Sequence, residues 1–140
     1  MSALIYNSML DFQTKGGIDF DTDVFRGMLV TDAYVADRAT HDFRNDITNE
    51  VVATGYTADG VIVPVTSVKN TGNNTQTITF GLASWPGFLG SAYGIVYYKS
   101  RGGSASLDEL CVFNRFGLVE IATLGTFVAS PTTITMTIRV

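Results

Sequence analysis

The sequence predicts a mainly β protein, an antiparallel jelly roll or β-sandwich of about eight strands with a short N-terminal helix. Runs rich in β-branched and aromatic residues recur at roughly ten-residue spacing, which is typical of sandwiches, jelly rolls and barrels. Clusters of Gly, Asn and Asp separate these runs, and such residues form the tight turns between antiparallel strands. The 140 residues contain no internal repeat or linker, so we expect one domain spanning residues 1–140.

The first segment, Ala3 to Lys15, is predicted to be the helix. Gly16 and Gly17 follow it directly, and glycine commonly ends a helix. The apolar residues of the segment are irregularly spaced, so a strand is the alternative.

The remainder of the chain is predicted to consist of strands and turns. A polar segment, 32–46, carries the single histidine. Turns are expected at 58–60, where Asp-Gly indicates a hairpin, and at 70–74 and 101–104, while Trp85-Pro86-Gly87 interrupts the pattern. In the last strand, alternation places Ile134, Met136, Ile138 and Val140 on one face. The predicted strands are 24–31, 50–57, 60–68, 75–81, 92–100, 107–116 and 132–140.

Composition excludes several classes of partner. The net charge is −4 and the nine Lys and Arg residues are scattered, whereas nucleic-acid binding needs a basic cluster. No apolar run approaches the ~20 residues of a membrane span, and the N-terminus lacks the features of a signal peptide. We therefore expect synthesis in a cytoplasm and no contact with a membrane. A charged fraction of only 16% favours a surface partly covered by protein partners, and a deep β core is the alternative explanation.

Three carboxylates alternate in the stretch DFDTD, at Asp19, Asp21 and Asp23. A calcium loop would need a glycine after the third aspartate and a glutamate at its twelfth position, and this chain has Val24 and Val30 there. An extended backbone would place the three carboxylates on one face. We interpret the stretch as the solvated entry to the strand at 24–31, and a weak ion site is the alternative.

No residues suggest an active site. His41 has aspartates nearby but no nucleophile motif and no second histidine, so we expect it to be exposed. Cys111 lies between Leu110 and Val112, where a small buried side chain is expected, and one cysteine excludes an internal disulfide. The sequence predicts a protein that is not an enzyme and has no cofactor or metal.

Partner contacts are predicted at aromatic residues and one arginine. Trp85 and Phe88 either fill one end of the sandwich or form an exposed anchor. Arg101 precedes Gly102-Gly103, whose glycines suit a hairpin tip, and there it could meet a partner carboxylate. Tyr34 and Phe43 mark the ends of an aromatic-bearing loop. Trp, Tyr and Arg are the residue types that dominate binding hot spots.

Almost the whole chain resembles a family of small virion proteins of tailed bacteriophages, encoded near the major capsid protein. The resemblance lies in IDFDTDVFRGMLVTDAY, TNEVVATGYTADG and, most specifically, GIVYYKSRGGSASLDELCVF. It implies a capsid cement or decoration protein with a jelly-roll fold. Such proteins sit as dimers on the capsid exterior and bridge neighbouring major capsid subunits. The family implies no catalytic residues.

The resemblance therefore implies a structural virion protein whose partners are the major capsid protein and a second copy of itself. The alternative is a lectin-like jelly roll on the virion surface or tail, with Trp85 and the tyrosines stacked on host glycans. A hydrolase that uses His41 with Asp42 or Asp46 is the least favoured hypothesis.

Overall fold

A computed structural model describes residues 2–137 and 139, and these residues form two antiparallel sheets and one α-helix. The larger sheet has the strand order β1-β7-β6-β2-β3 and the smaller has the order β4-β5-β8. This architecture confirms the predicted mainly β sandwich of about eight strands. The elements are β1 Ser2–Ile5, α1 Asn7–Thr14, β2 Phe25–Val30, β3 Val61–Val63, β4 Val65–Asn70, β5 Thr75–Phe80, β6 Ala83–Lys99, β7 Leu110–Ala129 and β8 Thr132–Thr137.

The main hydrophobic core lies between the two sheets. The ring of Phe80, from the smaller sheet, stacks on Tyr97 of the larger sheet with centroids 4.5 Å apart. Phe80 also meets Phe25 edge to face at 6.1 Å, and Ile78 and Ile134 pack in the same cluster. Aromatic pairs in these geometries add stability beyond the area they bury.

A second core covers the outer face of the larger sheet. Met28, Val96, Tyr98 and Phe113 point away from the smaller sheet and pack beneath the loop that contains Tyr34. The central strands are therefore buried on both faces, which explains why they are continuous apolar runs rather than alternating ones.

Pro64 divides one predicted strand into two. Instead of a single strand over 60–68, β3 belongs to the larger sheet and β4 to the smaller one. Proline has no backbone N–H to donate to a ladder, so the change of sheet occurs where pairing is already interrupted. The carbonyl of Pro64 still accepts a hydrogen bond from Gly81 N at 2.7 Å.

The predicted strand at 50–57 is wrong. The segment is irregular and contacts the larger sheet through two isolated bridges, from Glu50 to Val30 and from Thr54 to Leu89. Asn49 and Gly55 have positive φ angles of 60° and 80°, which interrupt an extended ladder at both ends. The turn at 58–60 forms, but it has a strand on its C-terminal side only.

The two longest strands extend beyond their predicted bounds, β6 at its N-terminal end and β7 at its C-terminal end. β6 begins at Ala83, so the predicted break at Trp85-Pro86-Gly87 is wrong. These three residues lie within the strand, at a register shift where Gly87 has φ 66°. β7 continues from the predicted 107–116 to Ala129. A bulge allows proline and glycine inside a strand, and periodicity alone does not reveal it.

Both alternatives for the N-terminal segment occur in succession. Residues 2–5 pair with β7 as a strand, and a helix over 7–14 follows, ending before Gly16 with φ 76°. The strands predicted at 24–31 and 75–81 are confirmed as β2 and β5, and the turn at 70–74 joins β4 to β5. In β8, Ile134 is buried and Met136 half-buried, while Ile138 and Val140 fall outside the described residues.

Candidate interaction surfaces

The fold separates the five predicted partner residues instead of gathering them at one site. Trp85 and Phe88 are fully buried, and the ring of Phe88 packs against Phe127 with centroids 4.9 Å apart. The alternative in which they fill the sandwich therefore holds, and the exposed anchor is wrong. These side chains support the strands from inside rather than offer a surface.

Tyr34 is buried in the second core. Its hydroxyl forms hydrogen bonds of 2.8 Å with the Tyr6 hydroxyl and 3.0 Å with Nδ1 of His41. Burial raises the pKa of Tyr34 to about 12, although its hydrogen bond to Tyr6 opposes the shift. His41 stacks on the Tyr34 ring and is half-buried, so its predicted exposure is wrong.

Phe43 is half-buried and holds the end of the same loop against the helix. Its ring lies 5.3 Å from that of Phe12. The carboxylate of Asp46 accepts hydrogen bonds from the backbone N–H groups of Asp42 and Phe43, at 2.8 and 3.0 Å. The loop is therefore fixed by the fold itself.

Arg101 is partly exposed but already has a partner within the chain. Its Nε and Nη2 donate to the two carboxylate oxygens of Glu109 at 2.6 and 2.8 Å, and this pairing raises the pKa of Arg101. Glu109 is only 3% exposed. The backbone N–H of Arg101 also donates to the buried carboxylate of Asp108 at 2.8 Å. The predicted hairpin tip is therefore tied to the sheet.

The acidic stretch 19–23 forms a turn at the entry to β2, so its carboxylates do not lie along one face of an extended strand. The carboxylate of Asp19 accepts a hydrogen bond from the backbone N–H of Asp21 at 2.9 Å. This bond and a second one from the Thr22 side chain lower the pKa of Asp19. Asp23 accepts from Asp19 N at 2.7 Å and pairs with Lys99 at 2.9 Å. Asp19 and Asp21 remain exposed at the entry to β2.

Two further features bear on possible chemistry. Within residues 2–137 and 139, no group of three or more His, Cys, Asp or Glu side chains is placed to hold a metal ion. Cys111 is fully buried, as predicted, and burial raises the pKa of its thiol. A thiol in this environment is a packing group rather than a nucleophile.

A groove of about 410 Å³ and a second of about 390 Å³, each with a mixed polar and apolar lining, mark two surfaces that the sequence did not single out. The second, which we name the Tyr93 groove, lies on the outer face of the larger sheet. Its rim holds Asp32 and Arg115, and Val35 on one wall is 79% exposed. The groove is lined by Leu4, Asp32, Tyr34, Val35, Ala36, Tyr93, Phe113 and Arg115.

Tyr93 reaches this groove because of an irregularity in the strand pairing. The register shifts between Ala92 and Gly94, and residues 116–119 of β7 have no counterpart on β6 there. Strict alternation along AYGIVYYK would have placed Tyr93 on the same face as Ile95 and Tyr97 in the main core. The bulge places it at the surface, where it is partly exposed.

The groove of about 410 Å³ lies on the other surface. We name this surface the β7 edge and define it as residues 116–129. β1 covers β7 over 112–115 only. Beyond that point Leu118, Ile121 and Leu124 are 71%, 72% and 67% exposed. The sequence signal was present, since GLVEIATLGTFVA is rich in β-branched residues and holds a single charge.

The structure is a β-sandwich with two grooves on its larger sheet, and both are candidate interaction surfaces. No family model, curated protein or solved structure matches the chain. Among the described residues, no helix is long and apolar enough to cross a membrane.

Proposed function

We propose that this protein is a non-enzymatic structural component of a bacteriophage virion. In this proposal it is made in the host cytoplasm, binds the capsid exterior as a homodimer and cements neighbouring major capsid subunits. The observation that carries the proposal is the Tyr93 groove, a depression on the larger sheet with apolar side chains and one residue of each charge at its rim.

The composition of the groove supports a protein partner. Protein interfaces combine an apolar centre with a polar rim, and Tyr and Arg are enriched among the residues that dominate binding. Tyr93 and Val35 supply apolar surface that is open to solvent, and Asp32 and Arg115 supply the rim. A loop of a capsid subunit with an apolar side chain between charged neighbours would complement these groups.

The support beneath the groove favours cementing. Its walls come from β1, β6 and β7, which pair on both sides of the bulge at Tyr93, and from the loop held by the Tyr6–Tyr34 hydrogen bond. A preorganised surface loses little conformational entropy on binding. Modest contacts that recur over a symmetric shell then act together through multivalency.

The competing functions receive less support. Trp85, Tyr97 and Tyr98 are buried, so the aromatic platform of a lectin would rest on Tyr93 among the groove residues. For a hydrolase, Nδ1 of His41 is engaged by the Tyr34 hydroxyl, and Asp46 is engaged by backbone N–H groups. These contacts fit a structural role for both residues.

The experiment compares virus particles with and without the protein under heating and osmotic shock. We expect particles without it to release their genome at a lower temperature, and the purified protein to restore resistance when added back. Tyr93→Ala should fail to restore it, whereas Val52→Ala, at an exposed position outside the groove, should restore it fully. Equal stability of particles with and without the protein would overturn the cement function.

A further inference from the structure

We propose that two copies of the chain pair along the β7 edge, about a two-fold axis, so that their larger sheets join into one continuous sheet. The pairing rests on the homodimer of the proposed function and assigns it a surface. It involves no capsid protein, so it is measured on the purified chain alone.

The β7 edge is an open side of the larger sheet. On one side β7 pairs with β6 except at its bulges, and on the other side β1 pairs with residues 112–115. Among the described residues, no other strand lies along 116–129. At ~3.3 Å per residue this edge is about 45 Å long. Unpaired N–H and C=O groups along an edge are a template for another strand.

The edge has one charge and no proline, although bulges and the positive φ angles of Gly117 and Leu124 interrupt it. Natural edges are kept short or carry charges and proline. β3 has three residues and is followed by Pro64, and β4 carries Lys69. The β7 edge has Glu120 as its single charge, while Leu118 and Ile121 are both more than 70% exposed. Exposed apolar side chains therefore lie on an edge that carries a single charge.

The surface can complement itself. A two-fold interface uses the same patch on both copies, so each copy must supply both a projecting group and a place to receive it. The groove of about 410 Å³ lies on this segment and includes Phe116, Ile121 and Phe127. Leu124, at a positive φ of 64° within a register shift, projects from the same segment. Each copy thus presents both elements.

Glu120 restricts the position of the axis. An axis through Glu120 would set two carboxylates directly opposite each other, which is destabilising. An axis near Thr123 instead sets Glu120 opposite the neutral residues 124–126 of the other copy. The resulting pair is antiparallel, as are all the strand pairs of this sheet. An edge that complements itself and carries a single charge favours a second copy over a charged partner.

The test is the mass of the purified chain by analytical ultracentrifugation across micromolar concentrations. We expect a dimer, twice the 15.1 kDa of the monomer. Ile121→Arg should shift the equilibrium toward monomer by at least tenfold in Kd, because it places a charge on the edge. Val68→Arg, at an exposed position on the edge strand β4, is the matched control and should stay dimeric. Circular dichroism checks that both variants are folded.

A cross-link keeps the proposal testable if Ile121→Arg does not fold. Thr123→Cys should form an intermolecular disulfide under mild oxidation because it lies near the axis, whereas Thr66→Cys on β4 should not. Cys111 is buried and should not compete. A monomeric wild-type chain, or a dimer unaffected by Ile121→Arg and uncross-linked through Thr123→Cys, would overturn the pairing. A chain that dimerises in this way but does not bind particles would contradict the capsid function alone.

Discussion

Arg101 and Glu109 form a two-point ion pair, in which Nε and Nη2 of the guanidinium meet the two carboxylate oxygens at 2.6 and 2.8 Å. The pair joins the hairpin tip to the start of β7 and keeps a nearly buried carboxylate satisfied. A sequence that places arginine before Gly-Gly suggested an outward contact, but the fold directs this side chain to its own sheet.

Removal of this guanidinium should destabilise the protein. Arg101→Ala leaves the Glu109 carboxylate without its charged partner, and we expect the free energy of unfolding to fall by about 1–2 kcal/mol, since Arg101 itself is partly exposed. Arg38→Ala, at an exposed arginine, should change it by less than about 0.5 kcal/mol. Urea unfolding measures both. Equal effects of the two variants would mean that the pair does not stabilise the fold.

Adjacent residues of β6 should respond very differently to truncation. Phe88 is fully buried against Phe127, and Phe88→Ala should lower the free energy of unfolding by about 3–5 kcal/mol. Leu89, its neighbour, is about half exposed, and Leu89→Ala should lower it by less than about 1 kcal/mol. Thermal unfolding of both variants measures the two losses in stability. Similar losses would show that Phe88 is not a core residue.

Two glycines with the same backbone conformation should tolerate alanine unequally. Gly60 has φ 81°, and a Cβ there would lie 1.9 Å from the carbonyl oxygen of Gly27. Gly60→Ala should therefore unfold or severely destabilise the protein. Gly102 has φ 77° but open space around it, so Gly102→Ala should lower the free energy of unfolding by only about 1–2 kcal/mol. A Gly60→Ala variant as stable as Gly102→Ala would contradict this packing.

The acidic turn should stabilise the fold in a pH-dependent way. Hydrogen bonds from Asp21 N and the Thr22 side chain lower the pKa of Asp19 in the folded state. A carboxylate whose pKa is lower in the folded than in the unfolded state stabilises the fold at any pH above its unfolded-state pKa. This stabilisation is lost as the pH falls through the folded-state pKa. Asp19→Asn should therefore reduce stability at pH 7, and its difference from wild type should shrink toward pH 2. Asp21→Asn, at the exposed tip of the turn, is the control.

The sequence predicted the central strands because β-branched runs and glycine-rich turns are local signals. It placed β2 and β5 within one residue at each end. It failed where pairing between distant segments decides the structure. Pro86-Gly87 reads as a break, yet β7 holds both residues inside β6 through a bulge. Residues 50–57 read as a strand, yet Asn49 and Gly55 turn the chain across the sheet instead.

The candidate surfaces were harder to predict for the same reason. Exposure of Tyr93 depends on four residues of β7 that have no counterpart on β6, and the β7 edge depends on which distant segments pair with β7. Neither is visible in a local pattern. Among the predicted partner residues, Tyr34 alone lines the Tyr93 groove, and it does so as a buried wall.

The most direct test of the capsid function is cosedimentation of the purified protein with virus particles that lack it. We predict saturable binding in fixed proportion to the major capsid protein. Tyr93→Ala should weaken this binding at least tenfold, and Val52→Ala should leave it unchanged. The absence of saturable binding by the wild-type protein, at any concentration at which it stays folded, would contradict the account.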